Sequence, residues 1–221
     1  GFPRMTRRRG RDARLATGPG LSLSAWLRRG LHLLPLCAVL LLAACAPPPE
    51  GGPRPGAPEE VARLANAIAA LGPEVDPAEA ARAARIAYRH THRLAQDYEI
   101  TDPPLVHNTK VNLGLKPRGL CWHWAEDMEA RLEAEGFATL ALHRAIANAD
   151  NPFRIEHSTA IISARGATMH DGIVLDPWRR GGVLFWGHTR RDTDYDWRPR
   201  GIVLAEKRRR AQSTAFAPQR P

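Results

Sequence analysis

Cys121, His157 and Asp176 are the three residues whose types and spacing can do acyl chemistry together. Cys121 follows Pro117-Arg118-Gly119-Leu120 and opens a stretch with helical spacing. At a helix start, unpaired backbone N–H groups and the helix dipole stabilise a thiolate and lower the thiol pKa. The same N–H groups can receive an oxyanion. A thiolate nucleophile needs a base, and the base needs an orienting group. His157 heads the apolar run Ser158–Ile162, and Asp176 closes the run Gly172–Leu175. If these runs are antiparallel strands joined by a turn at Arg165–Asp171, the start of one lies beside the end of the other. Asp176 would then hold the imidazole of His157 in the tautomer a base requires. The expected reaction is attack of Cys121 on an amide or ester carbonyl, with water or an amine resolving the acyl-enzyme. No metal or organic cofactor is expected. The competing expectation for Cys121 is a buried thiol acting as a small hydrophobe.

Other polar residues carry weaker expectations. His170, thirteen residues after His157, is an alternative third member, but it sits in a turn-like Met-His-Asp-Gly stretch. His143 lies in an alternating run and reads as a surface or satisfied core residue. His123 is two residues from Cys121, a helical spacing that points the side chains apart. No Cys-x-x-Cys or His-Glu-x-x-His pattern supports a zinc site. Asn108 and Asn112 fall in a Pro/Gly/Asn-rich stretch before Cys121; they read as turn formers, with Asn112 the candidate oxyanion donor. Trp122 is a candidate cleft wall, while Trp122 or Trp124 should supply core.

These residues need elements to hold them. Residues 59–71 space Val61, Leu64, Ile68 and Leu71 helically and stop at Gly72-Pro73. Asp76-Pro77-Ala78-Glu79 predicts a second helix start with a capping box, running to about Gln96. Residues 101–119 read as a long loop, and a third helix is expected over about Leu120–Glu135 with Gly136 as its stop. After Gly136 the period shortens. Phe137–Ala147, Ser158–Ala164, Gly172–Leu175, Gly182–Trp186 and Gly201–Ala205 read as strands. Helices first and strands after predict an α+β domain with an antiparallel sheet over residues 59–206. Residues 207–221 read as a basic disordered tail.

The blocks around the three residues resemble the transglutaminase-like branch of the papain-like thiol enzymes. Gly119-Leu120-Cys121-Trp122-His123-Trp124-Ala125 is similar to that family's Gly-x-Cys-x-x-aromatic-(Ala/Ser) block. Gly172-Ile173-Val174-Leu175-Asp176-Pro177-Trp178 is similar to its final block, and the order Cys, His, Asp is the family's. Ser158-Thr159 stand where the family usually has Ala-Trp. The resemblance spans about residues 117–178. It implies a papain-like/transglutaminase-like core with a nucleophile-bearing helix packed on the sheet. It also implies a hydrolase or acyltransferase site at Cys121, His157 and Asp176. Papain-like cell-wall endopeptidases share the Cys and His placement but often use a second His, the position His170 would fill. Because the family includes members without activity, the alternative expectation is an envelope protein that binds a peptide or cell-wall component.

The N-terminal residues read as an address. Residues 31–44 form a 14-residue apolar run after Arg28 and Arg29, too short to span a bilayer, which takes about 20 residues. Leu42-Ala43-Ala44-Cys45 resembles the bacterial lipobox, which implies cleavage before Cys45 and lipidation (palmitate among the chains) of that residue. Met5, or a codon near Leu21, is the expected start. Ala46–Pro58, with six prolines and three glycines, reads as a tether of about 40 Å. Ala46 after the lipidated cysteine implies the periplasmic face of the outer membrane. Eight arginines and one aspartate in residues 1–44 carry +7 of the net +9, leaving +2 on the rest. A nearly neutral body argues against nucleic-acid binding, which needs a concentrated basic face. Expected partners are therefore the membrane and a peptide or envelope substrate, for a chain expected to be monomeric.

Overall fold

The computed structural model describes residues 52–215, with side chains to Ser213. The leader, Cys45, the tether before Gly52 and residues 216–221 lie outside the described residues.

Among the described residues the chain is α+β, with five helices and a five-stranded antiparallel sheet. Helix α1 (Pro58–Ala69) and helix α2 (Pro77–Asp97) each begin with proline, whose fixed φ suits a first helical turn. They pair through Leu64, Ile68, Ala80, Ala83, Ala84 and Ala87. The alanines let the two backbones approach closely. Asp76 caps α2 by accepting from the Ala78 N–H at 2.8 Å. The expected capping box does not form. The Glu79 carboxylate turns instead to the next segment, accepting from the Ala138 and Thr139 N–H groups and the Thr139 hydroxyl at 2.6–2.8 Å. A local cap is exchanged for a bond across about sixty residues, and this staples α2 to the entrance of the sheet.

The expected loop 101–119 contains a further helix, α3 (Pro104–Asn112). Its residues are exposed or half-buried except His107, its buried anchor. Helix α4 (Cys121–Glu133) follows, buries Trp124, Ala125, Met128 and Leu132, and packs against the sheet.

The strands are β1 (Leu140–Ala147), β2 (His157–Ala164), β3 (Ile173–Asp176), β4 (Phe185–His188) and β5 (Arg198–Pro199), in the order β4-β3-β2-β1-β5. Strand β4 therefore starts three residues later than the expected Gly182. Period-two alternation divides the sheet residues. Ala160, Ile162, Ile173 and Leu175 join the helices in one core; Ile161 and Val174 join Ala145, Ala147, Met169 and Trp197 in another.

Two expected elements are corrected at the edges. Gly201–Ala205 is not a strand, and the basic tail is not unstructured as far as it is described: helix α5 spans Arg200–Ala215. It is anchored by Val203 and by ion pairs of Arg198 with Glu206 and of Lys207 with Glu156. Glu156 is remote in sequence, so no local period signals it. The end of the tether is also docked rather than free. The Pro53 carbonyl lies 3.1 Å from His92 Nδ1, Arg54 pairs with Glu60 at 2.9 Å, and Gly56 lies against the Tyr88 ring.

Candidate active site

Cys121 is the first residue of α4, and the backbone before it is shaped by two histidines. Gly119 has φ +124°, and a Cβ there would lie 2.4 Å from His107 Nε2, so both conformation and space demand glycine. His107 Nε2 pairs with the Arg118 carbonyl at 2.8 Å. His123 Nδ1 accepts from the Gly119 and Leu120 N–H groups at 3.1 and 3.2 Å. Backbone N–H groups only donate, so His123 is the neutral Nε2–H tautomer. Its pKa is lowered by burial and by the nearby Arg118 charge. The His123 and Trp124 N–H groups return to the Leu120 carbonyl. Among the described residues no hydrogen bond is made by the N–H groups of Cys121 and Trp122, the donors that a first helical turn leaves unpaired.

Sheet register brings the other two residues together. Ala160 pairs with Leu175, so the end of β3 lies beside the start of β2. His157 and Asp176 have the parity of Ile161 and Val174 and share one face. His157 Nε2 lies 2.6 Å from Asp176 Oδ2, and each residue is 1% exposed. The other ring nitrogen, Nδ1, is buried without a hydrogen-bond partner. The thiol lies at the same place: Cys121 Sγ is 3.7 Å from the carbonyl of Glu156, the residue before His157. Burial lowers the His157 pKa, but the charge and hydrogen bond of Asp176, aided by the adjacent Cys121 sulfur, outweigh it and hold the pKa at about 9. Cys121, His157 and Asp176 therefore meet in one cluster.

The His157 ring packs against Trp178 and Tyr195, each at 4.6 Å between centroids, and Trp197 at 5.4 Å. Asn108 Oδ1 accepts from Trp178 Nε1 at 3.0 Å. Asn108 thus lies on α3 and orients an aromatic wall, where a loop turn was expected. Asn112 ends α3, exposed; among the described residues no hydrogen bond links it to the cluster. Trp122 is 45% exposed and packs on the His123 ring, centroids 3.8 Å apart and planes tilted by 49°, next to Cys121 in sequence. His143 is satisfied by the Ser163 hydroxyl at 2.8 Å. His170 is exposed in a 3₁₀ turn (Met169–Asp171) and lines an open pocket of about 390 Å³ with Tyr195 and Trp197, while the His157 ring bonds Asp176.

Asp176 has a second partner that sequence reasoning missed. Arg179 donates through Nε to Asp176 Oδ2 and through its backbone N–H to Oδ1, both at 3.1 Å. The far side of its guanidinium donates to Asp192 at 2.7 and 3.1 Å. Asp192 also accepts from Trp197 Nε1 at 2.8 Å. The available signal was Arg179 standing three residues after Asp176, a spacing that one turn brings together. No group of three or more His, Cys, Asp or Glu side chains among the described residues is arranged to hold a metal ion.

Chemically, the arrangement offers a sulfur nucleophile, a base held by a carboxylate, and two free N–H donors at one point. Comparison of the chain with protein-family models, with curated proteins and with solved structures found no match.

Proposed function

We propose that this chain is a thiol hydrolase or acyltransferase of transglutaminase-like type, acting on an amide or ester bond through an acyl-enzyme. The observation that carries the reading is the His157–Asp176 bond of 2.6 Å beside the Cys121 thiol, with Nδ1 of the same ring left unpartnered. An imidazole held protonated to about pH 9 beside a thiol favours a thiolate–imidazolium pair, in which Nδ1 carries the proton. Cys121 Sγ then bonds the carbonyl carbon, and the carbonyl π pair moves to oxygen. The Cys121 and Trp122 N–H groups receive that oxyanion. Collapse breaks the C–N or C–O bond, and His157 Nδ1 gives its proton to the departing amine or alcohol. Water or an amine then attacks the thioester, returns a proton to Nδ1, and releases the thiolate.

The papain-like description of the core belongs to this reading. It is supported by a nucleophile at a helix start, a histidine heading a strand and an aspartate ending the next strand. The lipobox-like Leu42–Cys45 supports attachment to a membrane on the periplasmic side, and the outer membrane is the proposed site. The substrate is then a peptide or envelope component within reach of the tether.

The test is the alkylation rate of Cys121 against pH in the full chain, read at the Cys121 peptide by mass spectrometry. Rapid alkylation well below pH 8.5, the free-thiol value, and its loss in His157→Ala are the expected result. Ordinary thiol titration, indifferent to His157, would sink the proposal.

A further inference from the structure

We infer that Arg179 is a positioning residue of this site: it clamps Asp176 against His157 by bridging Asp176 to the buried Asp192–Trp197 pair. The inference rests on the thiol reading for its meaning but on separate contacts for its evidence. The Arg179 side chain is 12% exposed, and those of Asp176 and Asp192 are 1% and 3% exposed. Its guanidinium lies 3.9 Å from the Phe185 ring centroid and 4.6 Å from that of Tyr195. Tyr195 in turn packs on the His157 ring. One planar group therefore fixes the carboxylate on one edge, a second carboxylate on the other, and the aromatic that walls the imidazole. Such a fork needs arginine; a lysine ammonium carries the charge but cannot donate in two fixed directions from one planar group. In the ion-pair state the charges alternate along the chain of contacts: Cys121 negative, His157 positive, Asp176 negative, Arg179 positive, Asp192 negative.

A charged group beside Asp176 can act in two opposed ways. As charge alone, Arg179 offsets Asp176 and lowers the proton affinity of His157. As a clamp, it keeps Asp176 on Nε2 and raises that affinity. The charged and titratable groups facing this point are Cys121 from α4, Asp176 from β3, Arg179 after it, and Asp192, Asp194 and Tyr195 from the segment before β5. Arg154 reaches the Tyr195 ring and the Asp194 carbonyl. Asp194 is exposed and contributes one longer contact, 3.4 Å, to the guanidinium.

The experiment follows the His157 ring by NMR titration of the full chain, assigned by difference from His157→Gln. The probe is the proton alone. In Arg179→Met the midpoint should fall from about 9 by roughly one unit or more, the size expected when a carboxylate leaves an imidazole. Arg179→Lys should fail to restore it. Trp197→Phe removes the N–H bond to Asp192 and trims the ring that packs beside His157; it should lower the midpoint by less, and it gives a second readout if the Arg179 variants do not fold. An unchanged midpoint in a folded Arg179 variant, or in Trp197→Phe where the others unfold, overturns the inference. So does an upward shift in Arg179→Met that Arg179→Lys reverses, since that is charge without positioning. Parallel alkylation of Cys121 separates the two proposals. An ordinary thiol beside a His157 that still follows Arg179 defeats the thiol reading alone. An activated thiol with His157 indifferent to Arg179 defeats this one alone.

Discussion

His157 Nε2 and Asp176 Oδ2 lie 2.6 Å apart at the junction of two antiparallel strands, both shut off from solvent. With the Nε2 proton held by the carboxylate, the lone pair or second proton of the ring is confined to Nδ1. Asp176→Asn keeps the shape and removes the charge. The His157 pKa should then fall from about 9 to near or below the ordinary 6.5, because burial is left with less opposition. With the imidazolium no longer beside it to hold a thiolate, Cys121 should be alkylated at pH 6 roughly tenfold or more slowly than in the wild type. Site-resolved alkylation rates of the two proteins check this.

The same raised pKa makes stability depend on pH. Folded His157 holds a proton to about pH 9, whereas an unfolded histidine releases it near 6.5. The stabilisation is therefore complete below pH 6.5 and is lost as pH rises through 9. About 2.5 units at 1.36 kcal/mol each give about 3 kcal/mol. Denaturant unfolding at pH 6, 8 and 9.5 should show this decline in the wild type and a flatter profile in His157→Gln.

Gly119 sets where α4, the helix that opens with Cys121, begins. Its φ of +124° is strained for any L side chain, and an added Cβ meets the His107 ring at 2.4 Å. His107 is itself buried and bonded to the Arg118 carbonyl, so it has little room to move. Gly119→Ala should cost about 2–4 kcal/mol, from backbone strain and overpacking together. Thermal unfolding measures the loss, and a variant as stable as wild type would show that the α4 start is not held by this contact.

The parts of the site that were legible in the sequence are those with local signals. A glycine before a cysteine, and apolar runs that begin with His157 or end with Asp176, each mark an element boundary where a side chain is free to face a partner. The parts that were not legible depend on remote segments. Tyr195, Trp197 and Asp192 lie in a stretch whose mixed Arg, Asp and aromatic residues have no period, and only the fold returns them to His157. Helix α3 is hidden in a Pro/Gly/Asn-rich stretch that carries loop signals, although proline also starts helices, as Pro104 does here. Gly201–Ala205 carries the β-branched pair Ile202-Val203, a strand signal that is overridden in α5 by ion pairs to Glu156 and Asp150. Glu79 fits a local capping box by pattern but is taken by Ala138 and Thr139.

His123 offers the opposite pH signature to His157. Its Nδ1 must be unprotonated to accept the Gly119 and Leu120 N–H groups, and burial and Arg118 lower its pKa accordingly. An unfolded histidine takes up a proton near 6.5 while the folded one resists, so this contribution is present above that pH and is lost as pH falls below it. His123→Leu strands two N–H donors beside the helix start and should cost about 1–3 kcal/mol for the buried one. Because the same donors fix the approach to Cys121, the variant should also slow Cys121 alkylation near neutral pH, even though His157 and Asp176 are untouched. His123→Gln, whose amide oxygen can accept in place of Nδ1, should recover part of both losses and, lacking a titrating ring, should remove the acid-side decline. Unfolding curves at pH 5 and 7.5, with alkylation rates on the same samples, check this; a His123→Leu protein with wild-type stability and thiol reactivity would mean that the helix start is held by other contacts.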